Sequence, residues 1–421
     1  ARQEHESRLR LLKKELLWGA QKGLTTKFLL SGHVGCGKST ELNRSVKEIE
    51  RDPRLRQSLF VVSYSINEIL DLQEVDYTDI AFSVVVAIYN RLQKLDIAFP
   101  RQNMDRVTDW ITAEVERFTK RTVGAELEIG GAGLPKLLSF MALLGIRVRG
   151  GAMVTSGTRA KVKKRAPEIR HLVNRILAQI KELSGMNVLL VVDDLDKLPK
   201  IEALRVFRDD GPFLTLLNCM AIYTAPVNLM YELASSPSFE PYKSYPVPMF
   251  KIRHHHQEEG YNEPDIAKLT EMVYRRVSPR LFADGIVDQM VKTSGGVVRH
   301  LIKMVQDACL YCATFGRDKI DQEVFDWVIN EFKKDFSRRL DRGDYVRLKR
   351  IHLEKSCESS EQAWEYLHSL CVLEYVNGDY WYDVHPVVLR LIEEREPLRK
   401  VIARSGDPAP HPGPGLTNGK R

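Results

Sequence analysis

The fold is decided by one short stretch, Gly32-His33-Val34-Gly35-Cys36-Gly37-Lys38-Ser39, which matches the pattern G-x-x-x-x-G-K-[ST]. The apolar run Phe28–Leu30 before it predicts a strand, and the helical spacing of Leu42, Val46 and Ile49 after it predicts a helix. A glycine-rich turn between a strand and a helix brings backbone N–H groups and the positive end of the helix dipole to one point. The stretch therefore predicts a binding site for the phosphates of a nucleotide.

The residue types in this loop predict how each phosphate would be bound. The backbone N–H groups turn toward the β-phosphate, the Lys38 ammonium reaches the β- and γ-phosphates, and the Ser39 hydroxyl ligates Mg²⁺. The predicted nucleotide contacts are Gly32, Val34, Gly35, Cys36, Gly37, Lys38, Ser39 and Thr40.

A second motif supplies acidic side chains. Five apolar residues, Val188–Val192, predict a strand buried on both faces, and Asp193 and Asp194 follow it directly. Because ligands bind at the carboxyl ends of the strands in open α/β sheets, we expect Asp193 to bind Mg²⁺ and Asp194 to orient the attacking water. Asp196 is a weaker substitute for the second role. The chain lacks the Asn-Lys-x-Asp motif that reads guanine, so ATP is favoured over GTP.

Strand-like and helical runs alternate in residues 1–260, which predicts the α/β class, with a parallel-sheet P-loop NTPase core. The gap between the second and third strands is too long for one crossover helix, so residues 66–185 are predicted to be a largely helical insertion. The predicted strands are Phe28–Leu30, Leu59–Tyr64, Val188–Val192, Ala221–Thr224 and, less surely because of its prolines, Tyr245–Phe250.

The pattern changes to helices only after the sheet. Helical spacing over residues 261–339 predicts a helical lid domain. In residues 340–396, two helices precede a hairpin with the strands Val372–Val376 and Tyr380–Val384. The turn between them, Asn377-Gly378-Asp379, contains the Asn-Gly pair that favours tight hairpins. This order predicts a winged-helix domain.

Composition sets further limits. The 421 residues are 43% hydrophobic and 28% charged, which is typical of a globular protein of two or three domains. The longest apolar run, Leu137–Ile146, is about half the ~20 residues of a membrane span, so we expect no membrane association. Six scattered cysteines and a charged N-terminus favour a reducing, cytoplasmic location. Residues 397–421 are predicted to be a disordered tail, because residues 406–419 are rich in Pro and Gly.

Together the two motifs resemble those of AAA+ and STAND P-loop ATPases, the latter being signal-transducing ATPases with numerous domains. The resemblance covers most of residues 28–393. It implies that Thr224, at the end of the strand after the acidic one, senses the γ-phosphate; a plain strand cap is the alternative. The Gly-Gly-x-x-Arg sequence ending at Arg299 resembles the lid helix of origin-recognition-type initiators, which implies that Arg299 reaches the nucleotide; a helix start with a solvent-facing Arg is the alternative. The wing position of His385 resembles that of a STAND histidine that contacts ADP, with a structural histidine as the alternative.

The resemblance implies a slow ATPase that acts as a molecular switch, controlling assembly or signalling, in prokaryotes often in anti-phage defence. The expected partners are further copies in a nucleotide-dependent homo-oligomer, or a protein effector. An arginine from a neighbouring subunit completes many such sites, and Arg205 and Arg208 are the candidates here.

Two other functions compete with the switch. A DNA-binding initiator or loader ATPase would contact nucleic-acid phosphates through the winged helix and two basic segments, Arg147–Arg165 and Lys333–Arg350. The mild net charge of +7 permits such an acidic partner without requiring it. A small-molecule kinase would use the same phosphate loop, but it needs neither a lid nor a winged helix.

Overall fold

The computed structural model of the chain describes residues 2–72, 75–94, 101–123, 133–143, 165–233, 240–255, 260–357, 361–377 and 379–404. The strands are β1 (Lys27–Gly32), β2 (Leu59–Ser65), β3 (Asn187–Asp193), β4 (Met220–Pro226), β5 (Tyr242–Pro246), β6 (Val372–Asn377) and β7 (Asp379–Val384). The helices up to β5 are α1 (Arg2–Lys22), α2 (Lys38–Arg51), α3 (Pro53–Ser58), α4 (Tyr77–Lys94), α5 (Arg101–Val123), α6 (Gly133–Leu143), α7 (Ala166–Ser184), α8 (Lys200–Leu204), α9 (Gly211–Thr215) and α10 (Leu229–Leu233). The later helices are α11 (Glu263–Tyr274), α12 (Ile286–Thr293), α13 (Val298–Phe315), α14 (Gln322–Ser337), α15 (Arg342–Glu354), α16 (Glu361–His368) and α17 (Pro386–Arg404).

Five strands form a parallel sheet in the order β5-β1-β4-β3-β2. Strand β1 pairs with β4, where Leu30 lies opposite Thr224, and β4 pairs with β3, where Tyr223 lies opposite Val192. A single strand therefore separates the end of β1, which leads into the phosphate loop, from the end of β3, which leads into the acidic residues. This order brings both motifs to the same edge of the sheet.

Helices cover both faces of the sheet because successive side chains of a strand point to opposite faces. In β3, Val188, Leu190 and Val192 belong to an apolar cluster with α4, α5 and α7, whereas Leu189 and Val191 belong to a second cluster with α1, α2 and α3. All five are buried. Burial of this apolar surface, at about 25 cal/mol per Å², is the main stabilising contribution to the sheet.

The strand order confirms the predicted parallel α/β class. The first four predicted strands lie within β1 to β4, and helices α4 to α7 lie between β2 and β3, where we expected a helical insertion. The fifth prediction, Tyr245–Phe250, is wrong in its extent, since β5 is Tyr242–Pro246. The Val247 N–H still donates to the Ser31 carbonyl at 2.7 Å, but β1 ends at Gly32, where the phosphate loop begins, so β5 has no partner strand beyond that point. Pro246 and Pro248 are compatible with an edge strand, because their nitrogens need not face β1. Except for Arg165, the predicted basic stretch lies outside the described residues.

Helices α11 to α14 follow the sheet and lie within residues 261–339, where helical spacing predicted helices. After them α15, α16 and an antiparallel hairpin come in the predicted order, and the hairpin pairs Asn377 with Asp379. Asp341 and Asp344 form a capping box at the start of α15, which explains where that helix begins. Within the described ranges, no helix combines the length and apolar character that a membrane span requires.

One apolar cluster joins these C-terminal elements, from Ile266 in α11 to Val388 in α17. Separate domains usually have separate cores, but this cluster includes residues on both sides of residue 340. The domain boundary at residue 340 therefore stays a prediction. Helix α17 extends to Arg404, so residues 397–404 are helical rather than part of the expected tail. Residues 398–404 contain neither Gly nor Pro, unlike 406–419. The part of the predicted tail from 405 onward lies outside the described residues.

Candidate nucleotide-binding site

The phosphate loop joins the end of β1 to the start of α2. Gly35 and Gly37 have φ angles of 83° and 108°, in the left-handed region that glycine adopts without a steric penalty, and Gly37 is the N-cap of α2. The first turn of a helix carries N–H groups that lack intrahelical acceptors. The loop and α2 therefore form a backbone arrangement suited to an anion.

The ammonium of Lys38 lies at the centre of this edge and is only 3% exposed. Its Nζ donates to the carbonyl oxygens of Gly32 at 2.8 Å and His33 at 2.7 Å. It also lies 2.8 Å from Oδ2 of Asp196, whose side chain is 7% exposed. All three hydrogens of the ammonium thus have acceptors.

Three carboxylates follow β3. Asp193, Asp194 and Asp196 each offer an oxygen, and these oxygens lie within 4.8 Å of one another. The Ser39 side chain lies near the Asp193 carboxylate and acts to lower its pKa. Asp194 has a φ of 69° and precedes a 3₁₀ turn, Leu195–Lys197, which brings Asp196 back toward Lys38. The structure thus brings together Lys38, Ser39 and the acidic motif.

The pKa values of Asp193 and Asp194 shift in opposite directions. Burial raises the pKa of Asp193, and the hydrogen bond from the Asp194 N–H and the nearby Ser39 hydroxyl offset part of this effect. Burial also acts to raise the pKa of Asp194, but hydrogen bonds from Lys197 at 2.5 Å and Ser65 at 2.5 Å outweigh it and leave the pKa below the usual value. A carboxylate that stays ionised is suited to orienting a water but is a weak proton acceptor.

Thr224 is fully buried at the end of β4. Its Oγ1 accepts a hydrogen bond at 3.1 Å from the N–H of Leu195, in the turn between Asp194 and Asp196. Thr224 therefore fixes the turn that carries the carboxylates. This contact is closer to the strand-cap alternative than to direct γ-phosphate sensing.

Arg299 lies in the first turn of α13, against the phosphate loop. Its backbone N–H donates to the Gly35 carbonyl at 3.3 Å, and its Cβ would lie 2.8 Å from a Cβ added to Gly35. Its side chain is exposed. The lid helix and the loop are therefore in direct contact at this residue.

A cavity of about 500 Å³ opens beside the loop, between the core and the lid helices. Pockets of this size hold small ligands such as a nucleoside. Loop and α2 residues, among them Gly37 and Thr40, form one wall. The other walls combine apolar and charged side chains: Val247, Pro248, Met249, Phe250, Met272 and Val298 with Lys268, Glu271, Arg275 and Arg276.

His33 connects the phosphate loop to the C-terminal hairpin. It is 2% exposed, and its Nε2 accepts a hydrogen bond at 2.7 Å from the N–H of Glu374 in β6. Burial and, to a lesser degree, Lys38 lower the pKa of His33 to about 3, so the imidazole is uncharged at neutral pH. The hairpin therefore packs directly on the loop.

The Glu374 side chain makes a second contact with the core. Tyr231 in α10 donates to its Oε2 and hydrogen-bonds the Tyr382 hydroxyl of β7. Burial raises the pKa of Glu374 to about 8, partly offset by Tyr382, so the carboxyl holds its proton at neutral pH. Tyr375, next in β6, donates to the Gly295 carbonyl at 2.7 Å.

His385 lies between the lid and α17 and is fully buried. Its Nε2 is 2.9 Å from Nδ1 of His300, and its Nδ1 accepts from the N–H of Val387 at 3.2 Å. Burial lowers the pKa of both histidines, that of His300 to about 4. His300 directly follows Arg299, whose N–H donates to Gly35 in the phosphate loop. His385 is therefore linked to the loop indirectly, through His300 and Arg299.

The candidate arginines lie in a single π-helical turn, Arg205–Asp209, of a kind often found at functional sites. Arg208 donates to Asp209 at 2.8 Å.

Sequence reasoning missed His33 and Glu374 and ranked Asp196 second. The sequence does contain a pattern that could have indicated a role for Asp196, because Asp194 and Asp196 flank one apolar residue directly after a buried strand. No local sequence pattern indicates the contact of His33 with Glu374, because the donor is a backbone N–H that lies 341 residues away in the sequence.

Comparisons with known proteins concern the fold. No family model and no curated protein matches the chain. The Aeropyrum pernix ORC1 protein, solved in complex with DNA, is 12% identical over 94% of each chain, with a TM-score of 0.43. The Thermotoga maritima RuvB Holliday junction branch migration motor is 13% identical over 93% of this chain and 95% of that chain, with a TM-score of 0.37. A Walker-type ATPase of Pyrococcus abyssi is 14% identical over 92% of this chain and 95% of that chain, with a TM-score of 0.42.

Each of these is a protein that the chain is similar to, and identities this low transfer no residue roles. The ORC1 protein among them is of the origin-recognition type that the motifs led us to expect. The chain's own strand order, with its phosphate loop after β1 and its acidic residues after β3, is that of a P-loop NTPase core followed by a helical C-terminal region.

Proposed function

We propose that the chain binds ATP with Mg²⁺ and hydrolyses it slowly, as a molecular switch of the AAA+ or STAND type. The observation that supports this most is the convergence of the phosphate loop and the acidic motif. Lys38 lies 2.8 Å from Asp196, and Ser39 lies near Asp193, although the two motifs are more than 150 residues apart in the sequence. The cavity of about 500 Å³ beside Gly37 and Thr40 has room for the nucleoside.

Each side chain has a role in this proposal. Lys38 would stabilise negative charge on the phosphoryl group as it is transferred. Asp194, which Lys197 and Ser65 hold in its ionised form, would orient the attacking water. Arg299 would reach the phosphates from the lid, and Thr224 would hold the carboxylate turn in place.

Ser39 and Asp193 would hold Mg²⁺. The donor set fits this ion, because a hydroxyl and neighbouring carboxylates are the hard oxygen ligands that Mg²⁺ prefers. When bound, Mg²⁺ supplies positive charge that neutralises the phosphate oxygens.

Two variants test the site. Lys38→Ala should lose nucleotide binding, measured by calorimetry with ADP and Mg²⁺, because it removes the charge that faces the phosphates. Asp194→Asn should bind ATP as the wild type does, while hydrolysis falls about a hundredfold or more. Hydrolysis retained in both variants would contradict the site assignment.

The switch itself is the biological part of the proposal. ATP and ADP would favour different positions of the lid and hairpin and so shift an assembly equilibrium, either between copies of the chain or with a protein effector. A role in signalling or anti-phage defence, in the cytoplasm, rests on the resemblance alone. Mass measurement in solution with ADP and with a non-hydrolysable ATP analogue tests it, and equal masses in both would count against assembly control.

In the switch, His385 stabilises the ADP-bound form through His300 and Arg299. His385→Ala should then speed ADP release. Unchanged release of a fluorescent ADP analogue would remove this role.

A DNA-binding ATPase is the second candidate, supported by the eight basic residues in Lys333–Arg350. Much of that charge is already paired within the chain. The pairs are Lys333–Glu394, Lys334–Glu331, Arg347–Asp344 and Arg350–Glu354. Contacts with DNA phosphates would have to replace these pairs, so affinity for duplex DNA should fall steeply with salt. Binding that is absent or insensitive to salt would exclude this function.

A further inference from the structure

We propose that Asp196 is a positioning residue that holds the Lys38 ammonium and must release it before Lys38 can bind phosphate. Asp196 would thereby set the affinity of the site for nucleotide. This inference rests on the proposed function, since it concerns how the same site takes up its ligand. It assigns to Asp196 a role different from those of Asp193 and Asp194.

The contact is a buried ion pair rather than a surface one. Nζ of Lys38 and Oδ2 of Asp196 are 2.8 Å apart, and the two side chains are 3% and 7% exposed. Solvent and salt screen such a pair much less than they screen surface charges. Removing one partner of a buried pair leaves the other charge uncompensated.

The neighbouring carboxylates are held by other groups. Oδ1 of Asp194 pairs with Lys197, and Oδ2 accepts from Ser65. Oδ1 of Asp193 accepts from the Asp194 N–H at 2.8 Å, and Ser39 lies near this carboxylate. Of the three, Asp196 is therefore the one directed at Lys38. Its other oxygen, Oδ1, is buried and has no hydrogen-bond partner within the described residues.

All three N–H groups of the Lys38 ammonium already donate to acceptors within the chain. A phosphate that binds Lys38 therefore has to replace at least one of these acceptors. The Gly32 and His33 carbonyls are neutral acceptors, whereas Asp196 carries a full negative charge and competes most strongly. The phosphate also adds negative charge beside three carboxylates. Nucleotide binding thus works against Asp196 in two ways, through competition for Lys38 and through repulsion.

The first test measures ADP affinity by calorimetry in EDTA, with the full chain. Asp196→Asn keeps the shape of the side chain and removes its charge, so ADP should bind about tenfold more tightly than to the wild type. Asp194→Asn is the matched control, because it removes the same charge from the same cluster without a contact to Lys38. Its effect should stay within about threefold, the size of an ordinary local charge effect.

The second test measures the ion pair itself, by urea unfolding without nucleotide. Lys38→Met and Asp196→Asn should each lower the urea midpoint. The double variant should unfold closer to the wild type than the two separate losses added together, because neither charge is then left unpaired. Asp196→Ser is made alongside and should change ADP affinity in the same direction, which covers the case in which Asp196→Asn does not fold.

Three results would overturn the inference: ADP affinity unchanged or weaker in Asp196→Asn, equal tightening in Asp194→Asn, or strictly additive losses in the urea experiment. In each of these the wild type still binds ADP with Mg²⁺, so the proposed function stands. If the wild type binds no ADP with Mg²⁺, the proposed function fails, and the inference fails with it.

Discussion

The imidazole of His33, in the phosphate loop, accepts a hydrogen bond from the backbone N–H of Glu374, in the C-terminal hairpin, over an N–N distance of 2.7 Å. His33 can accept this bond because its pKa, lowered to about 3 mainly by burial, leaves the ring uncharged. Glu374 also binds Tyr231 of the core through its side chain. The hairpin therefore holds both the loop that would bind phosphate and the helix after β4.

The first prediction concerns His33→Ala. This change leaves the buried Glu374 N–H without its acceptor, so the free energy of unfolding should fall by about 1–3 kcal/mol. The hairpin should also separate from the loop more often. Hydrogen exchange of the β6 amides, measured by mass spectrometry, should be faster than in the wild type.

His33→Gln is the matched control, because the amide oxygen of glutamine can reach the position of Nε2 and restore an acceptor. Exchange in β6 should return most of the way to the wild-type rate. Equal exchange in the Ala and Gln variants would mean that the hydrogen bond does not hold the hairpin.

The second prediction concerns pH. Burial raises the pKa of Glu374 to about 8 from the ordinary value of 4.5, so the folded protein holds this proton while the unfolded chain has released it. The stabilising contribution is therefore full below pH 4.5 and is lost as pH rises to about 8. The groups that face Glu374 are the hydroxyls of Tyr231 and Tyr382 and the uncharged ring of His33.

Glu374→Gln stays neutral at every pH and serves as the reference. Between pH 6 and pH 8, the wild type should lose about 2 kcal/mol of unfolding free energy relative to this variant, measured by urea titration. Parallel pH profiles for the two proteins would show that Glu374 does not titrate in this range.

Local sequence patterns were sufficient for the sheet and for both phosphate-site motifs. The apolar runs of β1 and β3 are uninterrupted, and Lys38 and Asp193 follow them at short distances. The strand order that brings these motifs together is a property of the whole sheet, and the alternation of strands and helices indicated only that the sheet is parallel. The fifth strand was misjudged because the apolar run Tyr245–Phe250 continues past the point where its partner strand β1 ends, at Gly32.

The fine structure of the site depends on contacts that leave no local pattern. Whether Asp194 or Asp196 faces Lys38 is decided by the φ of 69° at Asp194 and by the hydrogen bond from Leu195 to Thr224. His33 occupies a position where the motif accepts any residue. Its acceptor role follows from the packing of a hairpin that comes near the end of the chain.

The third prediction concerns Thr224→Val, which keeps the size of the side chain and removes its oxygen. The buried Leu195 N–H loses its acceptor, so the free energy of unfolding should fall by about 1–3 kcal/mol. The turn that carries Asp194 and Asp196 should become less fixed, and hydrolysis should fall more than ATP affinity. Thr224→Ser keeps the acceptor and should restore both stability and turnover. If Ser behaves as Val does, the hydroxyl is not what holds the turn.

The fourth prediction concerns Gly35→Ala. Gly35 has a φ of 83°, and an added Cβ would lie 2.8 Å from the Cβ of Arg299 in the lid helix. The change therefore adds backbone strain and also pushes the lid away from the phosphate loop. We expect a loss of about 1–3 kcal/mol in unfolding free energy by urea titration, together with weaker ADP binding.

Gly23→Ala separates the two causes, since Gly23 has a φ of 66° but nothing within 4 Å of an added Cβ. This control should lose only the strain contribution of about 1–2 kcal/mol and should leave ADP affinity unchanged. The difference between the two variants then measures the contact between the loop and α13. If Gly35→Ala were no more destabilising than Gly23→Ala and bound ADP normally, the lid would not rest on the loop at Arg299. The close approach of these two residues would then have no part in nucleotide binding.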